Sequence, residues 1–197
     1  MIKQCNAVGV DIIADVVLNQ TTGADVADGK QTGVAGTEYN GSTGDYPGFA
    51  TEQYPEGITA SAFHSCSKNI SNYANQQEVQ ECRLSSMWDF DSESEKVQDI
   101  QSDYLAALWN AGVRGFRMDA VKHIHTDSVK AIKEKFAKKI GVNADSIYWI
   151  QEVIGNSSEA AGIQPSNYVQ KRHGDRIRLQ VRNEPDLQRQ DRKPQGT

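Results

Sequence analysis

The feature that most constrains this chain is its alternation of strand-like apolar runs with amphipathic segments. The run VGVDIIADVVL, residues 8–18, is a continuous stretch rich in Val and Ile, which suits a strand buried on both faces, as in a parallel sheet. The preceding MIKQCNAVG reads as the last turn of a helix, with Gly9 as its stop. In SESEKVQDIQSDYLAALWNAG, residues 92–112, the side chains of Val97, Ile100, Tyr104, Leu108 and Trp109 recur close to one face at helical spacing. Acidic residues open that segment and Gly112 closes it. VRGFRM (113–118) then reads as a short strand, TDSVKAIKEKFAKKIG (126–141) as a second amphipathic helix, and SIYWIQEVI (146–154) as a third strand. Strands alternating with helices in this way imply right-handed βαβ units and a parallel sheet, an α/β fold.

Two stretches break the alternation. From about residue 20 to 88, Gly, Thr, Ser, Asn and Tyr dominate and neither period persists. A stretch of that length exceeds an ordinary loop and reads as a small irregular domain or a functional excursion. From Val169 onward, eight Lys or Arg face four acidic residues, with no aromatic and no convincing helix or strand. That stretch reads as a solvated, disordered tail or as out-of-frame sequence, and its KRHGDRIR run as a less favoured anion-binding patch.

Size and charge narrow the function. At 197 residues and 38% hydrophobic, the chain can bury one sizeable core with a smaller lobe. A net charge of -5 argues against a nucleic-acid partner, which needs a basic surface. No apolar run approaches the ~20 residues that span a bilayer, and no signal peptide is visible at MIKQCNAVGV. Cys66 and Cys82 bracket a polar stretch that is either a disulfide loop from an oxidising compartment or a pair of reduced thiols; Cys5 is left over.

Polar residues gather just past the strand ends: Asp15 with Asn19 and Gln20; Arg117, Asp119, Lys122 and His123; and Glu152. Strand ends of this kind host catalysis in (β/α) barrels and ligands in doubly wound sheets. Two carboxyl groups from adjacent strands, Asp119 and Glu152, are the equipment of glycoside hydrolysis. Each also has an ordinary structural reading: Asp119 as a turn cap ion-paired with Arg117, and Glu152 as a strand-end acid. No Gly-rich phosphate loop follows a strand, and no Cys-x-x-Cys or His-Glu-x-x-His spacing points to zinc. His64 and His125 read as ordinary surface or loop histidines.

DIIADVVLNQ, GFRMDAVKH and QEVI, in this order and spacing, resemble segments of the α-amylase family of glycoside hydrolases. The likeness covers about residues 1–168 and includes FHSCSKNISNYANQQEVQECRLSSMWDFD, similar to the calcium-binding part of the family's domain B. The subgroup with animal and some bacterial enzymes is the nearest. The resemblance implies a partial (β/α)8 TIM barrel, its third to fifth strands, with an irregular domain B inserted after the third. Its segments would be 1–19 (end of the second helix, third strand), 20–90 (domain B), 91–168 (third helix to fifth strand) and 169–197 (the tail).

It further implies endo-hydrolysis of α-1,4-glucosidic bonds in starch, glycogen and maltooligosaccharides by a retaining mechanism. Asp119 would be the nucleophile and Glu152 the general acid/base, its pKa raised so that it holds a proton near neutral pH. Arg117 would keep Asp119 ionised and, in chloride-dependent members, bind chloride. Lys122 and His123 would contact the sugar, with Asp15 and Gln20 also at the substrate. Calcium would be held by the Asn19 side chain, the Asp89 carboxylate and the backbone carbonyls of Gln80 and His123, an all-oxygen set suited to a hard cation. Cys66 and Cys82 match a family disulfide, and Cys5 a cysteine whose partner lies upstream. The parent enzyme would be secreted.

Two departures weigh against activity. Gln20 stands where the family has a histidine in a DVVxNH pattern, and no Val-Asp-Asn-His-Asp type motif carrying a third acid occurs. The alternative reading is therefore a catalytically inactive, truncated remnant that at most binds calcium or saccharide. The 197-residue polypeptide alone is expected to release no reducing sugar from starch; calcium-dependent release by the purified chain would contradict this.

Overall fold

The computed structural model describes residues 1–23, 30–34, 36–47, 50, 52–169 and 177–183. The main sheet has four parallel strands in the order β1 (Ile12–Val16), β6 (Val113–Met118), β7 (Tyr148–Gly155) and β8 (Ile177–Asn183). Helix α1 (Ile2–Ala7) precedes it, and α3 (Glu95–Asn110) and α4 (Thr126–Ile140) form the crossovers. The insertion between β1 and α3 holds two small antiparallel pairs: β2 (Gln20–Gly23) with β5 (Met87–Asp89), and β3 (Lys30–Thr32) with β4 (Glu38–Asn40). It also holds a short helix, α2 (Gln76–Glu81).

Local chemistry accounts for the element ends. α4 opens with Asp127 in its first turn and closes with Lys138 and Lys139 in its last, charges that suit the helix dipole. Gly141 then adopts φ +70°, a left-handed stop that costs glycine little. Gly115 within β6 is required by crowding: a Cβ there would stand 3.2 Å from the Tyr148 carbonyl oxygen and 3.3 Å from Ile13 Cγ1.

The main core lies between the sheet and the two crossover helices. Phe116, Phe136 and Trp149 are at most 1% exposed. The Phe136 ring stands edge-on to Phe116, Trp149 and Trp109 at centroid distances of 5.3, 5.9 and 6.0 Å. A second cluster joins the insertion to the first half of α3: Tyr54, Ile58, Ala62, Phe63 and Phe90 pack with Val97 and Ile100. A disulfide of 2.02 Å links Cys66 and Cys82, deciding between the two readings of those thiols, while Cys5 is free and half-buried.

Three sequence expectations need correction. The run 8–18 is not a strand buried on both faces. β1 covers five residues, and Val10, Ile13 and Val17 are 51%, 46% and 51% exposed, because β1 is the sheet's edge among the described residues. Tyr104, expected on the buried face of α3, is 42% exposed and lies beside Val17 at that edge; Leu105 is fully buried instead. The tail is not without regular structure. Ile177–Asn183 runs parallel to β7 over seven paired residues, from Trp149↔Ile177 to Gly155↔Asn183. The alternation in IRLQVRN was the available signal, masked by its charge. Residues 170–176 and 184–197, with most of the basic run, lie outside the described residues.

Candidate active site and cation locus

The parallel register assembles the charged cluster. β1 and β6 pair Asp15 with Arg117, and β6 and β7 pair Met118 with Gln151. Continuing that register by one residue sets Asp119 beside Glu152. Because side chains alternate along a strand, Arg117 and Asp119 share a face. The Arg117 Nη1 donates to both Asp15 carboxylate oxygens at 2.8 Å and to Asp119 Oδ1 at 3.0 Å. Its Nη2 lies 2.6 Å from Glu152 Oε1. One guanidinium thus joins three carboxylates from three strands. Burial works against its charge, but the hydrogen bonds it donates to Asp15 and Asp119 and the field of Glu152 outweigh it, so Arg117 is held more firmly protonated than usual.

The turn after β6 aims a further donor at the pair. The Asp119 amide donates to the Val16 carbonyl oxygen at 3.0 Å, and Ala120 takes a left-handed conformation, φ +47°. A non-glycine residue there stores strain of the kind that collects at functional sites. In this conformation the Ala120 amide donates to Glu152 Oε2 at 3.2 Å.

A cleft of about 480 Å³ opens beside Glu152, lined among others by Tyr73, Ala120, Lys122, His123 and Glu159. Lys122, 7% exposed, donates to the Ile154 carbonyl oxygen at 2.7 Å and to both Glu159 oxygens at 3.0 and 3.2 Å; its ammonium lies 4.6 Å from the Tyr73 ring centre. The His123 Nδ1 donates to the Val79 carbonyl oxygen at 2.9 Å, and burial lowers its pKa to about 4, so the ring is neutral at neutral pH. Sequence reasoning missed Glu159 and Tyr73. An acid seven residues past Glu152, in the same strand-end loop, was the only hint.

Gln20 is not brought to this cluster by any contact among the described residues. It pairs with Asp89 across β2 and β5, is 7% exposed, and its Nε2 makes no hydrogen bond. It lines a separate cavity of about 370 Å³ with Tyr46, Gln101 and Tyr104.

Three of the four expected calcium ligands, Asn19, Asp89 and the His123 carbonyl, lie together. The Asn19 Nδ2 donates to Asp89 Oδ1 at 2.5 Å and to the His123 carbonyl oxygen at 3.1 Å, and all three residues are at most 3% exposed. Turning the Asn19 amide over would present three oxygens to one point, the donor set a hard cation prefers. Burial raises the Asp89 pKa to about 6, the mark of a desolvated carboxylate. Gln80 sits in the last turn of α2, its side chain spent on the Ile124 carbonyl and the Tyr168 hydroxyl.

His64 and His125 are not ordinary loop histidines. His64 Nδ1 lies 2.7 Å from Asp89 Oδ2 and Nε2 lies 3.0 Å from Glu93 Oε2; His125 Nε2 lies 3.2 Å from Glu93 Oε1. Burial disfavours the His64 charge, but the hydrogen bonds to Asp89 and Glu93 raise its pKa to about 10.

Comparison with known proteins bears on this site. The family model for the alpha amylase catalytic domain matches residues 1–167. The alpha-amylase of Pecten maximus is 37% identical over 132 residues, 67% of this chain and 25% of that protein. That of Streptomyces violaceus is 33% identical over 169 residues, 86% of this chain and 26% of that protein. The crystal structure of alpha-amylase I from Eisenia fetida superposes with a TM-score of 0.71 at 32% identity, covering 85% of this chain and 33% of that one. A mutant of the same enzyme, complexed with maltohexaose, gives the same score at 31% identity. The chain spans about a quarter of the length of these curated relatives. Among the described residues no helix is long and apolar enough to cross a membrane.

Proposed function

The chain belongs to the family of alpha-amylase catalytic domains, and from that premise we propose that it carries the nucleophile and the acid/base of a retaining α-glucan hydrolase. Residues 1–19 and 91–168 supply the third to fifth strands of a (β/α)8 barrel, and residues 20–90 are domain B. The observation that carries this reading is the joining of Asp15, Asp119 and Glu152 by the single guanidinium of Arg117. Such convergence at the carboxyl ends of parallel strands is where barrel enzymes place their chemistry.

In the first half-reaction Asp119 attacks the anomeric carbon of an α-1,4-linked glucosyl unit. Glu152 gives its proton to the glycosidic oxygen, and the C–O bond to the leaving chain breaks. In the second, Glu152 takes a proton from water, whose oxygen displaces Asp119 from the anomeric carbon and restores both carboxyl groups. Arg117 donates to Asp119 and, held in turn by Asp15, fixes the nucleophile's position. The cleft lined by Lys122 and His123 receives the leaving-group side of starch, glycogen or a maltooligosaccharide; that the Eisenia enzyme is complexed with maltohexaose supports a saccharide substrate. Gln20 is the least supported member of the substrate set, since no contact ties it to the carboxylates.

The residues at Asn19 fit a calcium ion. The Asn19 side chain, the Asp89 carboxylate and the His123 carbonyl would hold it, with the Gln80 carbonyl as a further ligand. Bound there, it would supply charge compensation for buried Asp89 and fasten the insertion to the strand-end turns. The disulfide between Cys66 and Cys82 supports a secreted parent protein. Saturating Ca²⁺ is expected to stabilise the chain by about 2.7 kcal/mol at a hundredfold excess over its Kd. Asp89→Asn should lose that increment, read as the calcium-dependent shift of the urea midpoint; a variant stabilised as much as the parent would sink the assignment.

The catalytic reading is tested by grafting residues 1–168 into the matching segment of a related alpha-amylase and assaying starch hydrolysis. A folded graft that hydrolyses starch, and loses this with Asp119→Asn, is the expected result. A folded, inactive graft would favour the alternative of a catalytically dead remnant.

A further inference from the structure

We propose a second cation site, formed by His64, Asp91 and Glu93, that takes a borderline transition ion such as Zn²⁺. One ligand atom from each of the three lies within 4.8 Å of the others. His64 Nε2 is 3.0 Å from Glu93 Oε2 and 3.7 Å from Asp91 Oδ1. Ligands around tetrahedral zinc stand ~3.3 Å apart, from bond lengths of about 2.0–2.1 Å, so the cluster closes on an ion with small side-chain shifts.

The backbone fixes this arrangement. The bridge between Phe63 and Phe90 lays the two segments side by side, with the His64 amide donating to the Asp89 carbonyl at 3.0 Å and the Asp91 amide to the Ala62 carbonyl at 3.0 Å. An independent observation concerns the outer face of the imidazole. His64 Nδ1 is held at 2.7 Å by Asp89 Oδ2, on a carboxylate that is 2% exposed. A carboxylate on the far nitrogen is the usual support of a metal-bound histidine: Asp89 keeps the Nδ1 proton, while Zn²⁺ takes the Nε2 lone pair and the Nε2 proton, shared with Glu93 in the ion-free site, leaves to solvent. His125 Nε2, 3.2 Å from the other Glu93 oxygen, steadies that carboxylate.

An imidazole nitrogen with two carboxylate oxygens selects for zinc, cobalt or nickel over calcium, which takes oxygen ligands. The site is distinct from the locus at Asn19, although Asp89 faces both, with Oδ1 toward Asn19 and Oδ2 toward His64. The proposal does not depend on the calcium reading or on catalysis.

The test is calorimetric titration of the purified 197-residue chain with ZnCl₂ in excess CaCl₂, repeated for Glu93→Gln and Asp91→Asn, with circular dichroism to establish folding. His64 is left intact because it touches Asp89. One equivalent of Zn²⁺ that calcium does not displace is expected, and each variant should bind it at least about tenfold more weakly, the smallest loss typical of disturbing a metal site. Absence of binding, displacement by Ca²⁺, or unchanged affinity in both folded variants would overturn the proposal.

Discussion

Asp119→Asn in the grafted enzyme is expected to lower kcat for starch by roughly 10⁴- to 10⁶-fold, the scale on which single nucleophile deletions act. An amide cannot form the glycosyl ester, yet it matches the carboxylate in shape. Its oxygen can still accept from Arg117 Nη1, now 3.0 Å from Asp119 Oδ1, so the fold and KM should change little. Glu152→Gln separates the two roles. Without a proton to give, it should fail on starch but recover part of the first step with a maltosyl fluoride, whose leaving group needs no proton. Asp119→Asn should recover nothing. Equal recovery in both variants would refute the division of labour.

Phe136→Ala is expected to destabilise the chain by roughly 3–5 kcal/mol, through lost burial and the cavity left behind. The side chain is fully buried and its ring touches the three aromatics that join α3, α4 and the sheet. Ile13→Ala is the control: at 46% exposure on the edge strand, it should cost no more than about 1 kcal/mol. Urea unfolding reads both as midpoint shifts at constant slope. Equal shifts would mean that the core is not where the aromatic cluster places it.

The two positions also mark how far periodicity carries. On α4 the 3.6-residue repeat and the Gly141 stop are local properties, so the helix was legible within a residue at each end. The run 8–18 was misread because its burial depends on neighbours. The same Val and Ile pattern serves a central or an edge strand, and only sheet order assigns it to the edge. The strand Ile177–Asn183 was hidden for a related reason: its alternation is real, but its charge resembles that of a solvated tail until β7 provides a partner.

By itself the sequence determined the α/β alternation, the insertion after the first strand, and the acids Asp119 and Glu152 at strand ends. Each follows from local spacing or from motif likeness. Tertiary structure alone decided that Arg117 joins three carboxylates, that Lys122 is taken up by Glu159 and the Ile154 carbonyl, and that His64 bridges Asp89 and Glu93. Apart from Arg117 and Asp119, which are two positions apart, these contacts join residues 25 to 102 positions apart. They arise from parallel register and from the packing of the insertion on α3, neither of which leaves a period in the chain.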